Sequence, residues 1–326
     1  MPEPDMSPYQ SQLFERRQKL ESALASYPDD RQLRGLLDEV DAALTRLAEG
    51  RYGLCMVCED PIEPERLIAN PLEQYCLDHL TPHQQQALEE DLELARQIQS
   101  ALLPPPSYHR DGWTVSYHYE GAGPVSGDYC DLLTDEDDNF YFLVGDVAGK
   151  GIAASMLMAH LHATFRALVS QRLALNAVVE RASRIFCESS LSTHFATLVA
   201  GKASTSGEVE LCNAGHVPPL IVKSSEIGHI DATGLPLGMF CDGQFSLHRT
   251  RLAAGDLIVL QTDGISEARN SRDEEYGTER LTEIVREHRD QSPGELISTC
   301  MKDLRAYRTN LEGPDDITMM VIRRLD

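Results

Sequence analysis

Four short acidic motifs in the C-terminal two thirds of the chain limit its possible folds more than any other feature of the sequence. They are Ser126–Asp131, Gly145–Gly151, Thr262–Ile265 and Pro314–Thr318. Three of them adjoin a strand-like apolar run, which ends just before the aspartate or begins just after it. Because the ends of paired strands meet at one edge of a sheet, the motifs predict a sheet-containing domain that presents several carboxylates to one point.

Converging carboxylates without lysine or arginine partners repel each other, and hard divalent cations relieve that repulsion. The glycines of these motifs permit tight turns and a close approach of backbone carbonyls to an ion. Two Mg²⁺ or Mn²⁺ ions about 4 Å apart would acidify a water molecule and clamp a phosphate. Residues 145–151 lack the Walker pattern of an NTPase loop. The alternative, that each Asp-Gly pair is only a turn, would have to hold for all four motifs.

The residue pattern changes at Pro104–Pro106. Apolar spacing of three and four residues predicts helices before it, over about 8–26, 30–49 (with Asp29 and Asp30 as caps) and 83–103. After it, groups of strand-like runs are separated by pairs of helical stretches, which favours an α+β domain with helices covering sheets. The predicted strands are Val115–Tyr119, Phe140–Val147, Phe195–Ala200, Val209–Asn213, Leu220–Val222, Leu257–Thr262 and Ile317–Arg323, and the predicted helices are 152–171, 174–190, 278–288 and 294–308.

A second motif has the spacing Cys55-x2-Cys58-x17-Cys76-x2-His79. Two ligand pairs on tight turns can close a tetrahedron around one Zn²⁺ and leave no open position, so the predicted site is structural. A module of about 30 residues has too little core to fold alone, and metal binding supplies the missing free energy. A three-cysteine site with a different fourth ligand is the alternative. The other five cysteines (Cys130, Cys187, Cys212, Cys241 and Cys300) are expected to be ordinary core residues.

The overall charge excludes several classes of partner. Lys and Arg total 29 residues against 52 Asp and Glu, which gives a net charge of −23. A surface this negative repels phosphate backbones and anionic lipids, so we expect neither nucleic-acid nor membrane-surface binding. No apolar run is expected to reach the roughly 20 residues that span a bilayer, and residues 1–12 do not resemble a signal peptide. The predicted location is the cytoplasm.

The stretch from Gly50 to Cys76, with Pro61–Ile62, Glu65–Leu67 and Pro71 between its cysteines, closely resembles the DksA/TraR-type zinc finger. Members of that family usually have a fourth cysteine where this chain has His79. Some of them bind RNA polymerase through an acidic coiled-coil tip. The helices before the finger are short here and no such tip is recognisable, so that function is not carried over.

The acidic motifs, together with Ala95–Gln99, Asn213–Pro219, Gly234–Gly238 and Glu275–Gly277, resemble the PPM-type metal-dependent serine/threonine phosphatases of the RsbU/SpoIIE-type branch. The resemblance covers about residues 92–325 and implies an αββα sandwich with a dinuclear metal site. The predicted division of the chain is N-terminal helices at 1–50, a zinc-finger module at 51–80, a linker helix at 81–106 and a phosphatase domain at 107–326.

By motif, the resemblance implies a set of metal-binding residues. Asp315 is followed by Asp316 where many family members have Asn, so either of the two could be the ligand. Lys150 stands where relatives often have His, and the phosphate-binding arginine of eukaryotic relatives has no clear counterpart. The Asn213–Pro219 loop is interpreted as a structural turn rather than as a catalytic element. The implied ligands of two Mn²⁺ or Mg²⁺ ions are Asp128, Asp146, Asp263, Asp315 or Asp316, and the backbone carbonyl of Val147.

The implied activity is hydrolysis of phosphoserine or phosphothreonine on a protein, usually a small anti-sigma-factor antagonist, by a metal-activated water. Two predicted helices carry narrow apolar stripes that either pack within the chain or form a homodimer seam. Our hypothesis is that the zinc module and linker helix regulate the phosphatase. A non-catalytic signalling adaptor and a zinc-finger regulator of RNA polymerase are the alternatives. The stripes are Leu33, Leu36, Val40, Ala43 and Leu47, and Leu88, Leu92, Ala95, Ile98 and Leu102.

Overall fold

The structure is a computed structural model that describes residues 7–27, 30–80, 82–110, 112–135, 137–191, 193–224, 226–308 and 315–325. Three residues used in the sequence predictions lie outside these ranges, namely the cap residue Asp29, the linker residue Thr81 and Pro314 of the last acidic motif. The chain divides into two compact units, residues 1–91 and 92–326.

The first unit begins with two helices that pack against each other, α1 (Ser7–Ser26) and α2 (Arg31–Ala48). The predicted cap at Asp30 is confirmed, because its side chain accepts hydrogen bonds from the N–H groups of Gln32 and Leu33 at 2.9 and 3.1 Å. These bonds satisfy donors that a helix start leaves unpaired. A short helix, α3 (Pro64–Ala69), and a 3₁₀ turn (Leu77–His79) follow, and α4 (Pro82–Leu102) runs on into the second unit. The buried core is Leu13, Val40, Ala43, Tyr52, Cys55, Ile62, Leu67, Leu72 and Cys76.

The second unit contains two antiparallel sheets. The first has the order β1-β2-β11-β10-β7-β8 and the second has the order β3-β4-β5-β6-β9. The six strands of the first sheet are β1 (Ser107–Arg110), β2 (Trp113–Glu120), β7 (Leu220–Val222), β8 (Ile227–His229), β10 (Leu257–Gln261) and β11 (Ile317–Arg324). The five strands of the second are β3 (Asp128–Thr134), β4 (Phe140–Val147), β5 (Ala196–Ala203), β6 (Glu208–Ala214) and β9 (His248–Arg251).

Helices cover the outer face of each sheet. The pair α5 (Gly151–Val169) and α6 (Leu175–Ser189) packs on the five-stranded sheet. The pair α8 (Thr278–Glu287) and α9 (Pro293–Tyr307) covers the six-stranded sheet, with α9 against β2 and β11, and the one-turn helix α7 (Asp263–Ser266) follows β10. Three apolar cores result, one between the sheets and one under each helix pair. This arrangement confirms the predicted αββα sandwich.

Strand β4 illustrates why the sequence of this domain folds into layers. Phe142 and Val144 point into the core between the sheets, whereas Tyr141 and Leu143 point into the core under α5 and α6. A strand that is buried on both faces reads as one continuous apolar run rather than as an alternating pattern. A Cβ at Gly201, on the neighbouring strand, would lie 1.9 Å from the Phe142 ring, so only glycine leaves room for that ring.

The predicted helices and strands are confirmed to within a few residues at each end, but the short strands β1, β8 and β9 and the functional strand β3 were not predicted. The expectation for the cysteines is wrong at two positions, because Cys187 and Cys241 form a disulfide with a Cα–Cα distance of 5.3 Å. Residues in α6 and in the 234–247 loop come together only in the folded chain, and spacing in the sequence does not reveal that. Cys130, Cys212 and Cys300 are buried as expected.

One expectation about membrane spans is also wrong. Helix α5 is long and apolar enough to cross a bilayer by length and composition, although the sequence was expected to contain no such run. Its apolar residues Met158, Leu161 and Phe165 are buried in the core beneath the five-stranded sheet. Because α5 packs on both β3 and β4, its hydrophobicity is that of a core helix.

Candidate metal centres

The predicted zinc ligands Cys55, Cys58, Cys76 and His79 come together in the first unit. One atom from each lies within 4.8 Å of the other three, and within the described ranges no other group of Cys, His, Asp or Glu is as tight. The Cys58 and Cys76 sulfurs are 3.7 Å apart, and Cys76 Sγ lies 3.2 Å from His79 Nδ1. Zn–S bonds of about 2.3 Å in a tetrahedron place two sulfurs about 3.8 Å apart. The donor set therefore fits Zn²⁺, and His79 lies where a fourth ligand would stand; its use as a ligand remains a prediction.

Hydrogen bonds hold the two ligand loops of this site together. Burial would raise the pKa of the Cys55 thiol, but N–H groups of Cys58, Cys76 and Val57 outweigh burial and lower the pKa to about 6, which favours the thiolate that binds metal. Arg66 donates to the carbonyl oxygen of Tyr75 at 3.0 Å, next to Cys76. These contacts join the segments that carry Cys55 and Cys76.

The four predicted aspartates of the second unit lie at one end of the two sheets. Asp128 and Asp146 are directly opposite each other on β3 and β4. Asp263 follows β10 and begins α7, and Asp315 stands two residues before β11, the partner strand of β10. Each sheet therefore contributes two carboxylates, as the strand-end pattern predicted.

Asp128 is held by hydroxyl groups from the opposite sheet. Its side chain is almost fully buried, and its Oδ2 accepts hydrogen bonds from Thr262 at 2.9 Å and from Thr318 at 2.5 Å. Burial raises the pKa of Asp128 well above its ordinary value, the Thr318 hydroxyl opposes that rise, and the charge of Asp146 adds to it. The two hydroxyls fix one carboxylate oxygen and so orient the other.

The pKa values of Asp146 and Asp263 are both raised, as is expected of carboxyl groups that bind a cation. Burial, followed by the charges of Asp263 and Asp315, raises the pKa of Asp146 to about 7. Burial and the charge of Asp315 also raise the pKa of Asp263. Carboxylates this close are stable as anions only beside positive charge, and oxygen donors of this kind suit Mg²⁺ or Mn²⁺.

Asp315 and Asp316, which the sequence left as alternatives, have different surroundings. Asp315 Oδ1 lies 3.1 Å from the ammonium group of Lys150. Both oxygens of Asp316 instead accept backbone hydrogen bonds, from Ala122 at 2.7 Å and from Gly127 at 2.8 Å. Asp316 thus ties the loop before Asp128 to the start of β11, and Asp315 is the better candidate ligand.

Val147 lies at the end of β4, where the backbone of Gly127 comes close to its carbonyl group. A Cβ on Gly127 would lie 3.0 Å from the carbonyl oxygen of Val147 and 3.3 Å from Asp146 Oδ1. Glycine at position 127 therefore keeps this carbonyl and this carboxylate accessible side by side. The predicted use of the Val147 carbonyl as a ligand remains a prediction.

Sequence reasoning assigned no role to several residues that the structure brings to this centre. Thr262 and Thr318 stand beside Asp263 and Asp316 in the motifs, and that adjacency was the available signal. Asp131, part of the first motif, is fully buried and pairs with Arg166 of α5 at 2.9 Å, so it is structural. In the Asn213–Pro219 loop, Asn213 Oδ1 accepts the N–H of His216 at 2.8 Å, which agrees with the predicted structural turn.

Comparison with known families decides where the second unit belongs. The model of the family described as stage II sporulation protein E (SpoIIE) matches residues 136–325, more than half of the chain. The chain belongs to the SpoIIE family. The SpoIIE match contains Asp146, Asp263 and Asp315, while Asp128 lies just before it. The prokaryotic dksA/traR C4-type zinc finger matches residues 50–78 and so ends one residue before His79.

Curated relatives agree with the SpoIIE assignment. Protein IcfG of Synechocystis is 28% identical over 263 residues, which are 72% of this chain and 41% of IcfG. The phosphoserine phosphatase RsbU of Bacillus subtilis is 26% identical over 245 residues, which are 74% of this chain and 72% of RsbU. The chain thus spans less than half of the length of IcfG and most of the length of RsbU.

Solved structures show the same fold. The RsbU and RsbW domains of Rv1364c from Mycobacterium tuberculosis align with a TM-score of 0.58 and 28% identity over 66% of this chain and 62% of that one. The SiaA-PP2C domain of Pseudomonas aeruginosa aligns with a TM-score of 0.62 and 21% identity over 74% and 98%. The second unit therefore has the PP2C-type phosphatase fold, as the sequence resemblance implied.

Proposed function

We propose that this SpoIIE-family chain is a Mn²⁺- or Mg²⁺-dependent phosphatase that hydrolyses phosphoserine or phosphothreonine on a protein. The observation that carries the proposal is the meeting of Asp128, Asp146, Asp263 and Asp315 at one end of two sheets, where burial and then the charges of Asp263 and Asp315 raise the pKa of Asp146 to about 7. Lys150 forms an ion pair with Asp315 at this place. A donor set of this kind binds hard divalent cations.

The bound ions would supply an acidified water for attack on phosphorus and positive charge for the phosphate oxygens. The chain supplies the geometry. Thr262 and Thr318 orient Asp128, and Asp316 holds the loop that carries Gly127 beside Asp146. No side-chain nucleophile is required, so no covalent phosphoenzyme is expected.

The test is hydrolysis of p-nitrophenyl phosphate with and without added Mn²⁺. Asp146→Asn should lose nearly all turnover, because one charged donor is removed from the centre. Asp290→Asn is the matched control, since the Asp290 side chain is 99% exposed and far from the motifs in sequence. Full activity of Asp146→Asn, or activity of the wild type that survives chelation, would contradict the proposal.

The substrate we propose is a small anti-sigma-factor antagonist phosphorylated on serine or threonine. Support comes from RsbU and RsbP of Bacillus subtilis, which are named phosphoserine phosphatases, and from the strong net charge of −23, which favours a partner with a basic surface. Release of phosphate from a purified phosphorylated antagonist should exceed release from a phosphoserine peptide of the same local sequence. Equal rates would argue against recognition of a folded partner.

Regulation through the linker helix α4 is supported by contacts within the second unit. Gln99 of α4 is buried, donates to the carbonyl of Ser126 at 2.7 Å and accepts the N–H of Ser126 at 3.0 Å. Ser126 Oγ in turn accepts the N–H of Asp128 at 3.1 Å. A shift of the helix would therefore reach a metal-binding carboxylate through two residues. We propose that the zinc module acts on the phosphatase by this route.

A homodimer is proposed from the exposed side of α4. Leu94 and Ile98, one helical turn apart, are each 56% exposed. Ile98→Asp should loosen a dimer in light scattering and change turnover, whereas Gln97→Asp places the same charge on a neighbouring face and should do neither. A monomeric wild type whose activity survives deletion of residues 1–82 would rule out both the dimer and the regulation.

The zinc finger also favours a second candidate function, that of a regulator of RNA polymerase. Its dksA/traR match at residues 50–78 is the supporting observation. Co-purification of polymerase with the wild type, lost in Cys55→Ser, would favour it over a phosphatase module alone.

A non-catalytic signalling adaptor would bind the phosphoprotein without turnover in the presence of Mn²⁺. We also propose that the protein is located in the cytoplasm.

A further inference from the structure

His216 is a buried histidine that the proposed chemistry does not use. It follows β6, two residues after the strand ends, and Gly215 before it has the positive φ of +66° that makes the turn. The His216 side chain is almost fully buried, and Asn213 fixes the His216 backbone at both polar groups, accepting its N–H at 2.8 Å and donating to its carbonyl at 3.2 Å. The ring is therefore held in one place.

One side of the ring contacts the five-stranded sheet next to a candidate metal ligand. His216 Nδ1 and Thr197 Oγ1 are 2.8 Å apart. Thr197 lies directly opposite Asp146 in the pairing of β5 with β4. One hydrogen bond and one pair of neighbouring strands thus connect the imidazole to Asp146.

Burial lowers the pKa of the His216 imidazole to about 4, and the backbone of Gln261 opposes part of that shift. The ring is consequently neutral near pH 7, with one donor and one acceptor nitrogen. Gln261 ends β10 and precedes Asp263 by two residues.

We propose that His216 is a positioning residue that holds Thr197 on β5 and so fixes the candidate metal ligand Asp146 on the neighbouring strand β4. It does so through the 2.8 Å contact of Nδ1 with the hydroxyl of Thr197, the residue directly opposite Asp146. Thr262 and Thr318 bind the carboxylate of Asp128 directly, whereas His216 acts on Asp146 through the neighbouring strand. The inference rests on the proposed function only in taking these aspartates as metal ligands.

The test measures metal binding rather than turnover. Mn²⁺ affinity is read from the free-Mn²⁺ signal in electron paramagnetic resonance, and the melting temperature is measured in EDTA. Residues that orient metal ligands typically change affinity 10–100-fold when removed. We expect His216→Ala to weaken Mn²⁺ binding at least about 10-fold. His248→Ala, the same change at an exposed position on β9 of the same sheet, should have no effect.

Conservative variants separate positioning from stability. His216→Asn keeps a polar group near the position of Nδ1 that can form a hydrogen bond with the Thr197 hydroxyl, and it should recover part of the affinity. Thr197→Val removes the hydroxyl without changing the shape of the side chain, and it should reproduce the loss even if His216→Ala does not fold. Wild-type affinity in Thr197→Val and in folded His216 variants, with only the melting temperature lowered, would overturn the inference.

The outcomes also separate this inference from the proposed function. A wild type that binds Mn²⁺ in a His216-dependent way but does not hydrolyse p-nitrophenyl phosphate supports the inference and contradicts the phosphatase activity. A wild type that hydrolyses p-nitrophenyl phosphate, together with His216 variants of unchanged Mn²⁺ affinity, supports the phosphatase activity and contradicts the inference. A wild type that binds no Mn²⁺ overturns both.

Discussion

Replacing Arg166 by alanine should destabilise the phosphatase unit strongly, and more at neutral than at acidic pH. Arg166 of α5 donates to both oxygens of Asp131, at 3.1 and 2.9 Å, and the Asp131 side chain is fully buried. Asp131 belongs to β3, the strand that begins with Asp128, and α5 is the helix that follows β4, which ends with Asp146 and Val147. The pair therefore joins the strand of one candidate metal ligand to the helix that follows the strand of another.

The expected loss of stability follows from the buried Asp131 carboxylate, which the substitution leaves without its partner. Removing one partner of a buried ion pair typically costs 3–5 kcal/mol, because a buried charge loses its partner. The Arg166 side chain is 46% exposed, so water weakens the pair and we take the lower end, about 3 kcal/mol. For a unit of this size that corresponds to a melting temperature lower by roughly 6–12 °C.

The pH dependence has a definite sign. Burial already raises the pKa of Asp131, while Arg166 opposes that rise, so Arg166→Ala should raise this pKa further. A carboxyl with a raised pKa in the folded state is protonated there first, and the folded state then no longer holds an unpaired charge. The loss of stability should thus be largest near pH 7 and shrink as the pH falls toward the ordinary range of a carboxyl group.

The assay is urea unfolding of the wild type, Arg166→Ala, Asp131→Asn and the double variant at pH 7 and pH 5. The double-variant cycle isolates the energy of the pair, and Asp131→Asn should recover part of the stability that Arg166→Ala loses. His162 Nε2, 3.7 Å from Asp131, stays in place in all four proteins. A loss below about 1 kcal/mol at pH 7, or an equal loss at both pH values, would refute the reasoning, since either result means that Asp131 does not depend on its partner.

Two further predictions concern the metal centres. Cys55→Ser should release one zinc per chain and unfold residues 51–80 without abolishing Mn²⁺ binding. Elemental analysis would detect the loss of zinc, and proteolysis would detect the unfolding of that region. Wild-type protein that is purified without chelators and contains no zinc would contradict the prediction. Thr318→Val removes the shorter of the two hydroxyl bonds to Asp128, and because hydrogen bonds to charged groups are worth about 1.5–3 kcal/mol, Mn²⁺ affinity should fall roughly 10–100-fold. Calorimetric titration with Mn²⁺ checks the second, and unchanged affinity with an unchanged pH profile would show that the hydroxyl does not orient the carboxylate.

Local spacing was enough to predict that the four candidate zinc ligands lie close together. Its four ligands occur as two pairs, each on one short turn, so the sequence nearly fixes the distance within each pair. The structure joins Cys55 and Cys58 to Cys76 and His79 as expected. The same holds for long apolar runs such as β4 and β11, because a strand that is buried on both faces leaves a continuous apolar signal.

Strand β3 was missed for the opposite reason. It starts with one aspartate and contains another, Asp131, that is buried only because Arg166 of α5 reaches it. A pattern that scores apolar residues treats both aspartates as signs of a loop. The strand that carries Asp128 was therefore visible only through the motif and not through its periodicity.

The sequence by itself determined which residue types could bind metal and that they would stand at strand ends, because strand and turn preferences act over a few neighbouring residues. Only the tertiary structure decided how they are used. It assigned Asp316 to backbone N–H groups and left Asp315 beside Lys150, and it brought Thr318 to Asp128 across 190 residues of chain. Contacts of that range depend on the register and layering of two whole sheets, and those are set by the packing of three cores rather than by any short segment.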